Sequence, residues 1–137
     1  MTGKTIGWGL VGASTIAREW MVDAIRSNAD SRIEAVFSGD MPHAKAFAVE
    51  KGIPNAYGSL TDLLENPQID AVYISSTNER HFHQTLAAAT AGKHVLCEKP
   101  LALEVDEAEQ MVETCKRAGV VLGTNHHLRN MDMLRRW

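Results

Sequence analysis

The chain is poor in cysteine: Cys97 and Cys115 are its two thiols, and they stand in neither a zinc nor a redox spacing. A disulfide-framed fold is thereby excluded, and two reduced thiols in a cytoplasmic protein are the expectation. Long apolar runs are also missing. The N-terminal stretch TIGWGLVG is broken by glycines and followed at once by STIAREW, too short for a signal core or a membrane span, and it is expected to be a buried strand. No charge of one sign dominates either. With 14 Lys and Arg against 17 Asp and Glu, the net charge is -3, which predicts no nucleic-acid and no membrane partner. A local site for a small anion stays open, because net charge says nothing about local geometry. No internal repeat, low-complexity tract or linker interrupts the chain.

What remains is one domain's worth of ordinary globular sequence, 137 residues with 45% hydrophobic and 23% charged content. Its main signal is an alternation. The runs at 5–11, 32–37, 70–75, 94–97 and 120–124 are short, apolar and rich in Val and Ile, as buried parallel strands are. Longer amphipathic stretches lie between them. In Thr15 to Ser27 the apolar residues Ile16, Ala17, Trp20, Met21, Ala24 and Ile25 recur at helical spacing, and 41–51, 60–65, 79–91 and 105–118 follow the same rule. Asn78 and Ser59 sit where N-caps belong, Ser59 with Asp62 three residues on. Gly52, Gly92 and Gly119 follow helical stretches, where a left-handed residue is favoured. Short connections between strands and helices predict an α/β fold: a Rossmann-type doubly wound parallel sheet with helices on both faces.

The end of the first strand carries the first chemical motif. In G-L-V-G-A-S-T-I-A, Gly9 to Ala17, Gly12 makes the tight turn, Ser14 takes the second glycine position of a dinucleotide fingerprint and Ala17 the third. A serine there holds a phosphate slightly further away, and its hydroxyl can donate to a phosphate oxygen. Turn amides and the helix N-terminus favour an anion, so Gly12, Ala13, Ser14, Thr15, Ile16 and Ala17 are candidate coenzyme contacts. The bland alternative is that small residues merely let a strand turn into a helix; the motif's place in the first βα unit weighs against it. At the end of the second strand an NAD-selective site places Asp or Glu. Here Ser38 and Gly39 stand there, with Asp40 further on and His43 opening the next helix. Ser38 can meet a 2′-phosphate and His43 can add a donor or a charge, so NADP(H) is the expected coenzyme. NAD(H) is the alternative if Asp40 reads the ribose.

A lysine follows the strand at 94–97 in H-V-L-C-E-K-P-L-A. The C-terminal ends of parallel strands form the ligand crevice, so the Lys99 ammonium is placed to polarise or protonate a carbonyl oxygen as hydride arrives. A solvated surface charge is the plain alternative for one lysine in a loop. With GLVGASTIA, AVYISSTNERHFHQTLAAATAGKHVLCEKPLA and GVVLGTNHHLRN, the chain resembles the Gfo/Idh/MocA oxidoreductases, relatives of glucose–fructose oxidoreductase and inositol dehydrogenase. The resemblance runs to about Asn130, and AGKHVLCEKPLA is its most specific part.

The resemblance implies that Lys99 is the active-site lysine and also a coenzyme contact. It implies that Ser76, Thr77, Asn78 and His81 border the nicotinamide, although His81 reads equally as a first-turn helix residue with no ligand. Glu98 is expected to hold the turn or a coenzyme ribose. Ser14, Ala17 and Ser38 match an NADPH-dependent branch, which carries an arginine on the 2′-phosphate where this chain has His43, a weaker and pH-dependent partner. The pair His126–His127 invites a metal, but neighbours on a strand point to opposite faces and no acidic or thiol cluster accompanies them; no metal is expected. A methyltransferase-like use of the fold is disfavoured by the Glu-Lys-Pro segment. The expected organisation is a dinucleotide-binding domain at 1–125, with 126–137 the start of a connection to a C-terminal α/β domain that carries the other wall of the substrate pocket. The expected function is hydride transfer between NADP(H) and a sugar-type ketone or alcohol, with this chain alone inactive. The alternative is a non-catalytic dinucleotide-binding module, and homo-oligomerisation stays open.

Overall fold

The computed structural model describes residues 5–99 and 102–125. Strands β1 (Ile6–Val11), β2 (Ser31–Phe37), β3 (Asn55–Tyr57), β4 (Ala71–Ile74), β5 (His94–Glu98) and β6 (Leu122–Asn125) form one sheet in the order β3-β2-β1-β4-β5-β6. Every neighbouring pair is parallel. This is the doubly wound Rossmann arrangement, with the strand order reversing direction between β1 and β4. The helical segments are Ala17–Met21, a π-helical turn that continues as α1 (Val22–Arg26), then α2 (Met41–Lys51), α3 (Leu60–Leu64), a 3₁₀ turn (Asn78–Arg80) leading into α4 (His81–Thr90), and α5 (Val105–Ala118). None of these is long and apolar enough to cross a membrane.

The period of two along each strand sends alternate side chains to two cores. Trp8, Leu10, Tyr73 and Leu96 meet Met21, Val22 and Ile25 of the first helix and Phe47 of α2 on one face. Val11, Val72, Ile74, Val95 and Cys97 meet Leu63 of α3, Ala88 of α4 and Met111 of α5 on the other. Because both faces are covered, the two central strands β1 and β4 are apolar at every position except the glycines of β1. Gly7 is one such exception. A Cβ there would stand 1.9 Å from the Gln68 carbonyl oxygen, so the chain leading into β4 lies directly against β1. Asp70 locks that approach, its carboxylate accepting from Gly7 N at 2.9 Å and its amide donating to Gly7 O at 2.7 Å.

Three expectations are corrected. The sheet has six strands rather than five apolar runs. Asn55–Tyr57 pairs with β2 through Ala35 to Phe37, although its three residues are only half buried. Asn78 is not an N-cap: Thr77 holds the cap position of the 3₁₀ turn, and Asn78 is the turn's first residue. The first helix does not bury its whole apolar stripe. The π-helical turn widens the spacing, so Ala17 and Met21 face the core while Ile16 and Trp20 stand 40% and 54% exposed. Elsewhere the punctuation is as expected. The Ser59 hydroxyl accepts from Asp62 N, and Gly52, Gly92 and Gly119 all have positive φ.

Candidate functional site

Loops after β1, β2 and β4 meet at the C-terminal edge of the sheet and enclose a cleft of about 390 Å³. Gly12 sits at its base with φ +123. A Cβ there would lie 3.0 Å from Ser76 N and 3.2 Å from the Ser75 carbonyl carbon, so the missing side chain lets the β4 loop close onto the β1 turn. Ser14 fastens the same junction. Its Oγ accepts from Ala17 N at 3.1 Å, capping the helix, and pairs with Ser75 Oγ at 2.7 Å.

The second wall comes from β2. Phe37, Ser38 and Gly39 line it with His43 from α2. Ser38 Oγ accepts from Asp40 N at 3.2 Å, which leaves its hydroxyl proton for an incoming group. The His43 Nε2 is 2.9 Å from the Ala13 carbonyl oxygen, so this ring braces the β1 turn from the α2 side. Asp40 precedes α2, is exposed, and is not among the lining residues.

The third wall is the segment after β4. Ser75, Ser76, Thr77, Arg80 and Gln84 line it. The Ser76 hydroxyl donates to Gln84 Oε1 and the Ser76 carbonyl meets His81 Nε2 at 3.0 Å. His81 is 1% exposed at the start of α4, so it holds the loop from beneath and does not face the cleft. Glu79 next to it is held below the usual carboxylate range, first by a backbone hydrogen bond and then by the Thr77 hydroxyl.

The expected contacts thus divide. Gly12, Ala13, Ser14, Ser38, His43, Ser76 and Thr77 are brought together around one cleft. Thr15 and Ile16 are exposed, Ala17 is buried in the core, and Asn78 and His81 lie beside the cleft without lining it. Glu98 and Lys99 stand at the end of β5, beyond β4. The Tyr73 hydroxyl donates to Glu98 Oε2 at 2.5 Å, so Glu98 anchors the bend in which Lys99 is exposed. Cys97 just before it is no nucleophile, because burial pushes its thiol up to about 12. His126–His127 lie outside the described residues. Among the described residues no group of three His, Cys, Asp or Glu gathers to hold a metal. Ser75, Gly39, Gln84 and above all Arg80 are lining residues that the sequence did not single out.

The donor set suits an anion. Amides of a turn, the N-terminus of a helix, serine and threonine hydroxyls and the Arg80 guanidinium surround the space, and among the described residues no aspartate or glutamate lines it. With the base stripped to Gly12, these residues fit a nucleotide phosphate lying against the backbone.

Comparison with known proteins gives the same reading. Residues 6–126 match the GFO_IDH_MocA family model, described as an oxidoreductase family with an NAD-binding Rossmann fold. The 1,5-anhydro-D-fructose reductase of Ensifer adhaerens is 54% identical over 123 residues, which is 90% of this chain and 37% of that protein. Among solved structures, the 3-ketoreductase KijD10 of Actinomadura kijaniata in complex with NADP and TDP-benzene superposes with a TM-score of 0.85 at 29% identity, over 97% of this chain and 43% of that one. The WlbA dehydrogenase of Bordetella pertussis in complex with NADH and UDP-GlcNAcA does so with 0.83 at 28% identity, over 91% and 36%. The chain spans well under half the length of each of these relatives.

Proposed function

Since the chain belongs to the Gfo/Idh/MocA oxidoreductase family, as its NAD-binding Rossmann domain, we propose that its cleft takes NADP(H) in preference to NAD(H) and that it serves hydride transfer to a sugar-type ketone. One observation carries the coenzyme preference. The end of β2 presents Ser38 and Gly39 to the cleft, while Asp40, the next residue of the chain, is not among the lining residues. A carboxylate at the end of β2 binds the ribose 2′-hydroxyl and repels a 2′-phosphate; a serine hydroxyl donates to the phosphate and costs nothing by repulsion. The sugar-type substrate is supported by the reductase of Ensifer adhaerens, named for 1,5-anhydro-D-fructose.

Within this reading the chain's residues divide the work. The turn at Gly12 to Ser14 seats the pyrophosphate on the helix N-terminus, Ser38 takes the 2′-phosphate, and Ser76 and Thr77 hold the β4 loop against the nicotinamide half. The bound nicotinamide supplies the hydride. Lys99, at the C-terminal end of β5, donates a hydrogen bond to the ketone oxygen and stabilises the negative charge that grows there as the carbonyl carbon is reduced. Glu98, tied to Tyr73, fixes the bend that carries it. A non-catalytic dinucleotide-binding module is the second reading, favoured by one observation: Lys99 is exposed, with no wall opposite it among the described residues.

Titration of the chain with NADPH and with NADH, followed by coenzyme fluorescence or calorimetry, tests the preference. NADPH is expected to bind at least about tenfold more tightly, a difference of about 1.4 kcal/mol, and Ser38→Asp is expected to invert the order. Tighter binding of NADH by the unaltered chain would refute the reading.

A further inference from the structure

A phosphate monoester needs more than one hydroxyl to be held, and the structure offers a cation at the right corner from an unexpected direction. Arg80 is the last residue of the 3₁₀ turn after β4. Its guanidinium lines the cleft and reaches the end of β2. There its Nη1 stands 4.0 Å from where a Cβ on Gly39 would be, and it is the one side-chain atom within that distance of the position. Arg80 and Ser38 therefore face the same space from opposite walls, with Gly39 leaving room between them.

Three further facts point to a ligand rather than to a structural ion pair. Arg80 is exposed, and among the described residues its guanidinium makes no hydrogen bond or salt bridge, while its backbone amide donates to the Thr77 carbonyl. The adjacent carboxylate, Glu79, is engaged first with backbone and with the Thr77 hydroxyl, the charge of Arg80 acting on it only as a lesser influence. The other basic side chain at this corner, His43, is directed by its Nε2 onto the Ala13 carbonyl, so it braces the turn. A fork of donors that stays charged at every physiological pH suits a phosphate dianion better than a single ring nitrogen does.

We infer that Arg80 is the specificity-determining cation of the cleft, pairing with the ribose 2′-phosphate from the β4 wall while Ser38 donates from the β2 wall. The inference rests on the proposed NADP(H) preference and assigns its charge to one residue. Adenosine 2′,5′-bisphosphate and adenosine 5′-monophosphate, which differ by the 2′-phosphate, are the probes, titrated into the unaltered chain and into Arg80→Gln and Arg80→Lys. Arg80→Gln is expected to weaken the bisphosphate by about 10- to 100-fold, the range of a charged hydrogen bond, and to leave the monophosphate within twofold. Arg80→Lys is expected to recover part of the loss, because it returns the charge without the fork.

An equal loss for both probes would mean that the guanidinium stacks on the adenine and would overturn the assignment, as would an unchanged bisphosphate affinity. If the unaltered chain does not favour the bisphosphate, the NADP(H) reading itself fails. If it does and Arg80→Gln keeps that preference, the NADP(H) reading survives and the role of Arg80 does not. Arg80 is exposed, so neither substitution disturbs the core, and thermal melts of both variants check that.

Discussion

Gly12→Ala is the perturbation that most directly tests how the cleft is built. Two costs fall on one methyl group. The backbone there has φ +123, a region that residues with a Cβ avoid at a cost of about 1–3 kcal/mol. The new carbon also meets Ser76 N at 3.0 Å and the Ser75 carbonyl carbon at 3.2 Å, backbone atoms that cannot swing aside, and such overpacking costs about 1–3 kcal/mol more. Gly52→Ala supplies the control. Gly52 has φ +64 with nothing within 4 Å, so it bears only the left-handed penalty of about 1–2 kcal/mol. The positive-φ penalties of the two variants largely cancel, so urea melts should place Gly12→Ala about 1–3 kcal/mol below Gly52→Ala, the overpacking cost alone. The functional effect should be larger still, because relief of the clash moves the β4 loop away from the β1 turn and parts Ser14 from Ser75. NADPH binding is expected to fall at least about tenfold in Gly12→Ala and to be unchanged in Gly52→Ala. Equal stability of the two variants, with NADPH affinity retained in both, would show that the close approach at Gly12 does not shape the site.

Three further outcomes are expected. Gly7→Ala should lose more than about 4 kcal/mol of stability, among the largest single-residue effects, since its Cβ would lie 1.9 Å from the Gln68 carbonyl; a well-folded variant with a native melting temperature would contradict the packing described. Cys97, with its thiol raised from 9.0 to about 12, should resist iodoacetamide in the folded chain and react on unfolding. The unfolded thiol gives up its proton first, so above pH 9 this residue lowers folded stability by up to about 1.4 kcal/mol per pH unit, a slope that urea melts of Cys97→Ala should lack. The 137-residue chain should bind NADPH yet show no steady-state oxidation of it with 1,5-anhydrofructose. Positioning of substrate is worth about 7–11 kcal/mol, against about 2.7–4 kcal/mol for one donor such as Lys99, so normal turnover by this chain would show that the exposed lysine needs no opposing wall.

The fold was legible because strands covered on both faces carry short buried apolar runs, which make β1, β4, the second half of β2 and the middle of β5 stand out from amphipathic neighbours. Strand β3 was not, because Asn55, Ala56 and Tyr57 have no apolar run of their own and are drawn into the sheet by the exposed ladder edge of β2. The phosphate turn could be read from Gly12 and Ser14, since local geometry dictates both. Arg80 could not. In the sequence it is one charge in an amphipathic stretch, indistinguishable from a solvated face, and only the closure of the β4 loop over β1 carries it to Gly39. His43 was read as a cleft residue, but the contact of its ring with a carbonyl thirty residues earlier was not, nor was the exposure of Ile16 and Trp20, which a regular helix would have turned inward and the π-helical turn leaves out.

The two jaws of the cleft hang on opposite sides of β1: Ser38 and Gly39 follow β2, and Thr77 and Arg80 follow β4, while β1 alone pairs with both strands. A molecule gripped by both jaws is a strut across the centre of the sheet, opposing any breathing motion that parts β2 from β4. Coenzyme at a hundred times its dissociation constant adds about 2.7 kcal/mol to the folded state, comparable to the core contribution of a large apolar side chain. Where proteases sample the opened form, a supply of the nucleotide would then lengthen the lifetime of the folded chain.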